Sequence, residues 1–114
     1  VKLTSKQIAK KLVKKIERID AFEDKFGILI DNTSINVDDN SIDIFLEISA
    51  TKDNTINKSF YLKCIYYDND NSIIDITQKY VDKDDFFAFS TIKISKYGID
   101  SANISKIRIY PSNQ

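Results

Sequence analysis

Histidine does not occur among the 114 residues, so Ser-His-Asp and Cys-His constellations cannot form and imidazole-ligated metal sites are excluded with them. The single thiol, Cys64, falls in mid-strand on the parity of Phe60, Leu62 and Tyr66. Burial in apolar surroundings raises a thiol pKa and leaves little thiolate to attack a substrate. One cysteine also permits no internal disulfide and no thiolate cluster. Paired carboxylates can do acid and base work, but the acids here gather in turn sequences, where solvation holds their pKa near the ordinary value. No phosphate loop or dinucleotide fingerprint is present. The chain reads as non-catalytic, with no cofactor.

Two charged groupings bear on binding. Asp68, Asp70, Asp82, Asp84 and Asp85 could offer oxygens to calcium if loops at one end of a sandwich converged. The run from Asp68 lacks the glycine at loop position six and the acid at position twelve, where Ile73 and Lys79 stand. Turn formation is the preferred reading of these acids, so no metal ligand is assigned, and a calcium-binding sandwich stays as an alternative. The second grouping is basic. Residues 1–18 hold seven positive charges and one negative, so this segment carries plus six and the remaining residues minus six. Lys10, Lys11, Lys14, Lys15 and Arg18 are the candidates for an anionic surface, lipid or nucleic acid. Nucleic acid is disfavoured because the segment has one arginine and no aromatic residue for base readout. A membrane surface is disfavoured because the apolar positions offer Ile, Leu and Ala without Trp or Phe.

The last candidates are aromatic. Tyr61, Ile65 and Tyr67 share one parity of a strand with Lys63 between them, and Phe87 and Phe89 oppose Phe86 and Ala88. Exposed aromatic rings mark partner sites, because they bury much area at little entropy cost. Tyr61, Tyr67, Phe87 and Phe89 are therefore the expected protein-facing patch.

The elements that must position these residues follow from pattern. Thr4-Ser5-Lys6-Gln7 is a capping box, and Ile8, Ala9, Leu12, Ile16 and Ile19 form an apolar stripe at helical spacing. One amphipathic helix is expected over 1–25, ending between Asp20 and Lys25, with Gly27 as the later alternative stop. Its stripe is expected to dock on a sheet and leave the lysines in solvent. From Phe26 the period becomes two. Strands are expected at 27–31, 34–37, 42–50, 57–67, 73–80, 86–95 and 104–110, separated by Asp, Asn and Ser turns. Seven short strands without alternating helices predict an immunoglobulin-like antiparallel β-sandwich over 26–114. Twenty isoleucines and thirteen aromatic residues supply its core.

Phe60-Tyr61-Leu62-Lys63-Cys64-Ile65-Tyr66-Tyr67-Asp68-Asn69-Asp70, followed by Ile73-Ile74 and by Phe86-Phe87-Ala88-Phe89, resembles the bacterial immunoglobulin-like sandwiches of the FxLYD type. Those families place a tyrosine and an aspartate at a strand end before an acidic turn. Asn71 stands here where such turns usually carry glycine, and the FxLYD string itself is absent. The resemblance covers about a third of the chain and implies a sandwich fold with no shared catalytic residues. It further implies an interaction or spacer module, in the bacterial cell envelope or secreted as part of a longer chain. The chain opens on Val1, and heavy use of Ile, Lys, Asn and Asp points to an AT-rich bacterial genome. No apolar run approaches the roughly 20 residues that span a bilayer, which predicts a soluble domain. The sequence therefore predicts a non-catalytic protein-binding or spacer module, the alternative being an adaptor whose basic helix binds an anionic surface.

Overall fold

A computed structural model describes residues 3–114; Val1 and Lys2, counted in the basic segment, lie outside the described residues. Helix α1 (Ser5–Val13) begins as the capping box requires. The Thr4 hydroxyl accepts from the Gln7 amide at 3.2 Å, and the Gln7 side chain accepts from the Thr4 amide at 2.9 Å. The helix then stops at Val13, about two turns or more short of expectation. Lys14 caps it, and Ile16–Arg18 form a short strand, β1. A second helix, α2 (Asp20–Phe26), follows. Its end is the later stop: Gly27 takes φ 69, the left-handed conformation that costs glycine nothing.

The single helix over 1–25 is therefore corrected to helix, strand, helix. Tertiary pairing overrides a stripe that propensity alone would continue. Lys15, Ile16 and Arg18 lie where the β7 edge can be paired, the Ile107 amide donating to the Lys15 carbonyl at 3.2 Å and Ile16 standing opposite Ile107.

The remaining strands are β2 (Ile28–Asp38), β3 (Ser41–Ala50), β4 (Phe60–Tyr67), β5 (Ile73–Val81), β6 (Phe89–Tyr97) and β7 (Lys106–Ser112). The two strands expected at 27–31 and 34–37 are one, joined through a bulge between Asp31 and Ser34 where Asn32 takes φ 50. The protein is thus a mainly β sandwich of seven strands in two sheets. One sheet has the order β1-β7-β4-β5 and the other β2-β3-β6. The chain crosses between sheets after β1, β3, β5 and β6, and β2 to β7 take the immunoglobulin-like arrangement of strands. Among the described residues only the β1–β7 pair is parallel.

Alternation places the core between the sheets. Ile42, Ile44, Leu46 and Ile48 of β3 face Phe60, Leu62, Cys64 and Tyr66 of β4, all fully buried, with Ile107 and Ile109 of β7 beside them. Helix α1 packs along β2 and docks its apolar stripe as expected, with Leu12 1% exposed and Ile8, Ala9 and Val13 against the core. Burying Leu12 contributes about 2 kcal/mol. No helix of the described residues is long and apolar enough to cross a membrane.

Candidate protein-contact site

The end of the sandwich where β3 leads into β4 and β5 into β6 holds the most unusual backbone in the chain. Lys52-Asp53-Asn54-Thr55 closes a two-residue turn, with φ 59 at Asp53 and 61 at Asn54 and the Thr55 amide donating to the Lys52 carbonyl at 3.3 Å. Asp and Asn tolerate this left-handed pair, as a type I′ turn demands. Against it lies the segment Phe86-Phe87-Ala88-Phe89. Ala88 takes φ 64, and the Phe89 amide donates across it to the Phe87 carbonyl at 2.7 Å, closing a γ-turn of the rare, strained hand. A left-handed residue with a Cβ costs about 1–2 kcal/mol, so it persists only where its surroundings over-determine it.

Those surroundings are specific. The Ala88 amide donates to the Asn54 carbonyl at 2.8 Å, and the Ala50 amide donates to the Ala88 carbonyl at 2.9 Å. Phe86 anchors the segment in the core. Ser59 ties the two loops at their base, donating to the Asp82 carboxylate at 3.3 Å and accepting from the Lys83 amide at 2.9 Å. The result presents Phe87 72% exposed and Phe89 54% exposed on a fixed turn. Phe89 stands opposite Ser49 on the outer face of the three-stranded sheet, and Ser49 stands opposite Leu29, which is also exposed. Phe87, Phe89 and Leu29 thus offer apolar surface at one end of the molecule. With no titratable side chain among the three, the arrangement is suited to burying a partner's apolar surface and not to moving protons.

The four aromatic residues expected to form one patch do not meet. Tyr61 lies half-buried on the outer face of the other sheet, its ring 5.1 Å from that of Tyr80. Tyr67 is only 7% exposed, because Lys106 sits over its ring at 4.4 Å and Arg108 at 5.4 Å. Its expected exposure is therefore corrected. Leu29 escapes sequence reading because a single exposed Leu on a strand carries no signal until the register sets it beside Phe89.

The basic candidates also divide. Lys10, Lys11, Lys14 and Lys15 are exposed at and just beyond the end of α1, and among the described residues none of the four forms an ion pair. Arg18 does not join them. It lies in β1, its Nε donates to the buried Glu23 carboxylate at 3.1 Å, and its Nη1 donates to the Ile30 carbonyl. Arg18 stays exposed, but its guanidinium is engaged by Glu23, the Ile30 carbonyl and, at 3.8 Å, Asp20, so it is not available as the lysines are.

The acidic turns lie at opposite ends of β5, so Asp68 and Asp70 cannot converge with Asp82, Asp84 and Asp85 on one ion. Their carboxylates serve their own backbone. Asp68 Oδ1 accepts from the Asp70 and Ser72 amides at 2.9 Å each, and Asp82 Oδ1 accepts from the Asp84 amide at 3.1 Å. Cys64 is fully buried, and burial pushes its thiol up to about 12, the nearby Thr77 hydroxyl opposing the shift. Burial likewise raises the Tyr66 phenol, whose hydroxyl lies 3.0 Å from that of Thr77.

No family model matches the chain, and no curated protein matches it. Among solved structures it is similar to a DUF1425 family member from Shewanella sp. pv-4, with a TM-score of 0.52 at 8% identity over 76% of this chain and 78% of that one. It is also similar to the uncharacterized lipoprotein yajI from Escherichia coli, with a TM-score of 0.42 at 13% identity over 73% of this chain and 52% of that one. The first likeness shows a shared β-rich fold. The FxLYD resemblance is unmatched by any family model and extends to the sandwich alone.

Proposed function

We propose that this domain is a non-catalytic protein-binding or spacer module of a larger bacterial envelope protein, and that the end carrying Phe87 and Phe89 is its contact surface. The carrying observation is the strained Ala88 turn, held by two backbone hydrogen bonds, that keeps two large rings in solvent. Strain of this kind gathers at binding sites, and rings held rigid lose little entropy when covered. The test is photocrosslinking in cells with benzoylphenylalanine at position 87, compared with the same probe at Tyr97. Tyr97 is 73% exposed at the opposite end of β6. A discrete crosslinked species at 87 but not at 97, persisting in high salt, supports the reading. Equal labelling at both positions, or none at 87, sinks it.

A second reading rests on the unpaired lysines at and just beyond the end of α1, which leave a basic ridge beside a docked helix. In it Lys10, Lys11, Lys14 and Lys15 hold an anionic surface through charge alone. Such binding weakens steeply with ionic strength, so retention on anionic vesicles at low salt and release at high salt would favour it over the aromatic end.

A further inference from the structure

An open sheet edge presents unpaired amides and carbonyls, and proteins usually blunt it with shortness, lysines, proline, bulges or a covering element. The four edges here carry these devices unequally. Strand β1 has three residues. Strand β2 is bulged and lies against α1. Strand β6 carries Lys93 and Lys96 with no acid, so a second β6 is repelled. Strand β5 differs. It ends its sheet and carries a bulge at Ile74 and one lysine, Lys79, but that lysine is matched by one acid, Asp75, and the run Asp75–Val81 is regular, with Ile76 and Tyr80 exposed.

We propose that the occupant of this edge is β5 of a second copy of the chain, paired antiparallel about a two-fold axis through Thr77. Residues directly opposite in an antiparallel pair share a face, so a two-fold axis normal to the sheet must pass midway between one residue and the same residue of the second copy, the residue by which the axis is named here. The axis at Thr77 sets Asp75 opposite the second copy's Lys79, and Lys79 opposite its Asp75. It also sets Ile76 against Gln78, and the bulge at Ile74 falls outside this regular run. Placed at Asp75 or at Lys79, the axis would stack like charges. At Ile76 it would set Asp75 against Thr77 and Lys79 against Ile73, and at Gln78 it would set Asp75 against Val81. Of these registers only that at Thr77 matches both charges, and opposite charges across a strand pair are stabilising where like charges are not. Asp75 already binds Lys96 at 3.1 Å, but a carboxylate has sites for a further donor. The paired charges Asp75 and Lys79 lie outside the Phe86–Phe89 segment, so the proposal does not depend on the function proposed above.

Sedimentation equilibrium of the chain over rising concentration should reveal a monomer–dimer equilibrium; a monomer at the highest concentration reached overturns the proposal. Lys79→Asp and Asp75→Lys each turn both cross-strand pairs repulsive and should weaken self-association roughly tenfold or more. Mixing the two variants in equal amounts restores both Asp–Lys pairs, so heterodimers should form where neither variant dimerises alone. Self-association of Lys79→Asp equal to that of the parent, or a mixture no more associated than its components, overturns the register. Hydrogen exchange of the unsubstituted chain gives a readout free of any folding defect. Amides of β5 should gain protection as concentration rises while those of β6 do not, and gain at β6 instead overturns the edge assignment.

Discussion

Glu23 is 2% exposed, yet both of its oxygens are used: Oε1 accepts from the Ile30 amide at 3.1 Å and Oε2 from Arg18 Nε at 3.1 Å. The pair ties β1, α2 and β2 together. Removing the carboxylate strands a buried amide and leaves the guanidinium half-covered without its partner, so Glu23→Ala should cost about 3 kcal/mol and Glu23→Gln less. Urea denaturation checks the order; equal, small losses would show that the network contributes little. At Ala88 the sign is opposite. Glycine relieves about 1–2 kcal/mol of left-handed strain and gives back about 0.5–1 kcal/mol of chain entropy, so Ala88→Gly should raise Tm by a few degrees. A lowered Tm would mean the Ala88 methyl has packing worth more than the strain. At this scale the sequence was legible where side chain and backbone compete locally. Thr4 and Gln7 made their box, and Asn71, in an Asp-Asn turn sequence, takes φ 64, which Asn tolerates. The Ala88 turn was not legible, because the bonds that fix it come from Asn54 and Ala50, far away in the chain.

Helix α1 shows what periodicity can and cannot establish. The stripe of Ile8, Ala9 and Leu12 identified a docking face, and that face is docked. Ile16 and Ile19 continued the same spacing but belong to a strand and to the cap of α2, because pairing with β7 and the Glu17–Arg108 contact reward an extended chain there. A pattern fixes a face; the partner decides where the element ends. Two variants separate the roles of the helix. Leu12→Ala should destabilise by about 3 kcal/mol, as a fully buried leucine does, with loss of hydrogen-exchange protection over residues 8–13. Replacing Lys10, Lys11, Lys14 and Lys15 together by Gln should shift stability by less than about 1 kcal/mol, because solvated lysines without partners hold nothing in place. A large loss in the second variant would mean that the ridge interacts with the acidic remainder of the chain.

Across the whole molecule, two carboxylates form ion pairs that run between strands. Glu17 binds Arg108 at 2.9 Å and Lys106 at 3.7 Å, fastening β1 to β7, and Asp75 binds Lys96 across the gap between the sheets. The hydrogen bond from Arg108 holds the Glu17 carboxyl below the ordinary carboxylate range. The Ile76 amide, and then Lys96, do the same for Asp75. A carboxyl with a lowered folded-state pKa binds its proton more readily in the unfolded chain. Its stabilisation is therefore present above the ordinary carboxylate range and is lost as pH falls through the lower folded-state value. Both groups are partly exposed, so salt screens the effect and keeps it small. The Glu17→Gln, Asp75→Asn double variant, measured dilute enough to be a monomer, should be less stable than the parent at neutral pH and lose less on acidification. The two urea midpoints should converge below the carboxylate range. A gap that persists in acid would assign the loss to packing, and the sandwich would then be joined by its apolar core with no contribution from these charges.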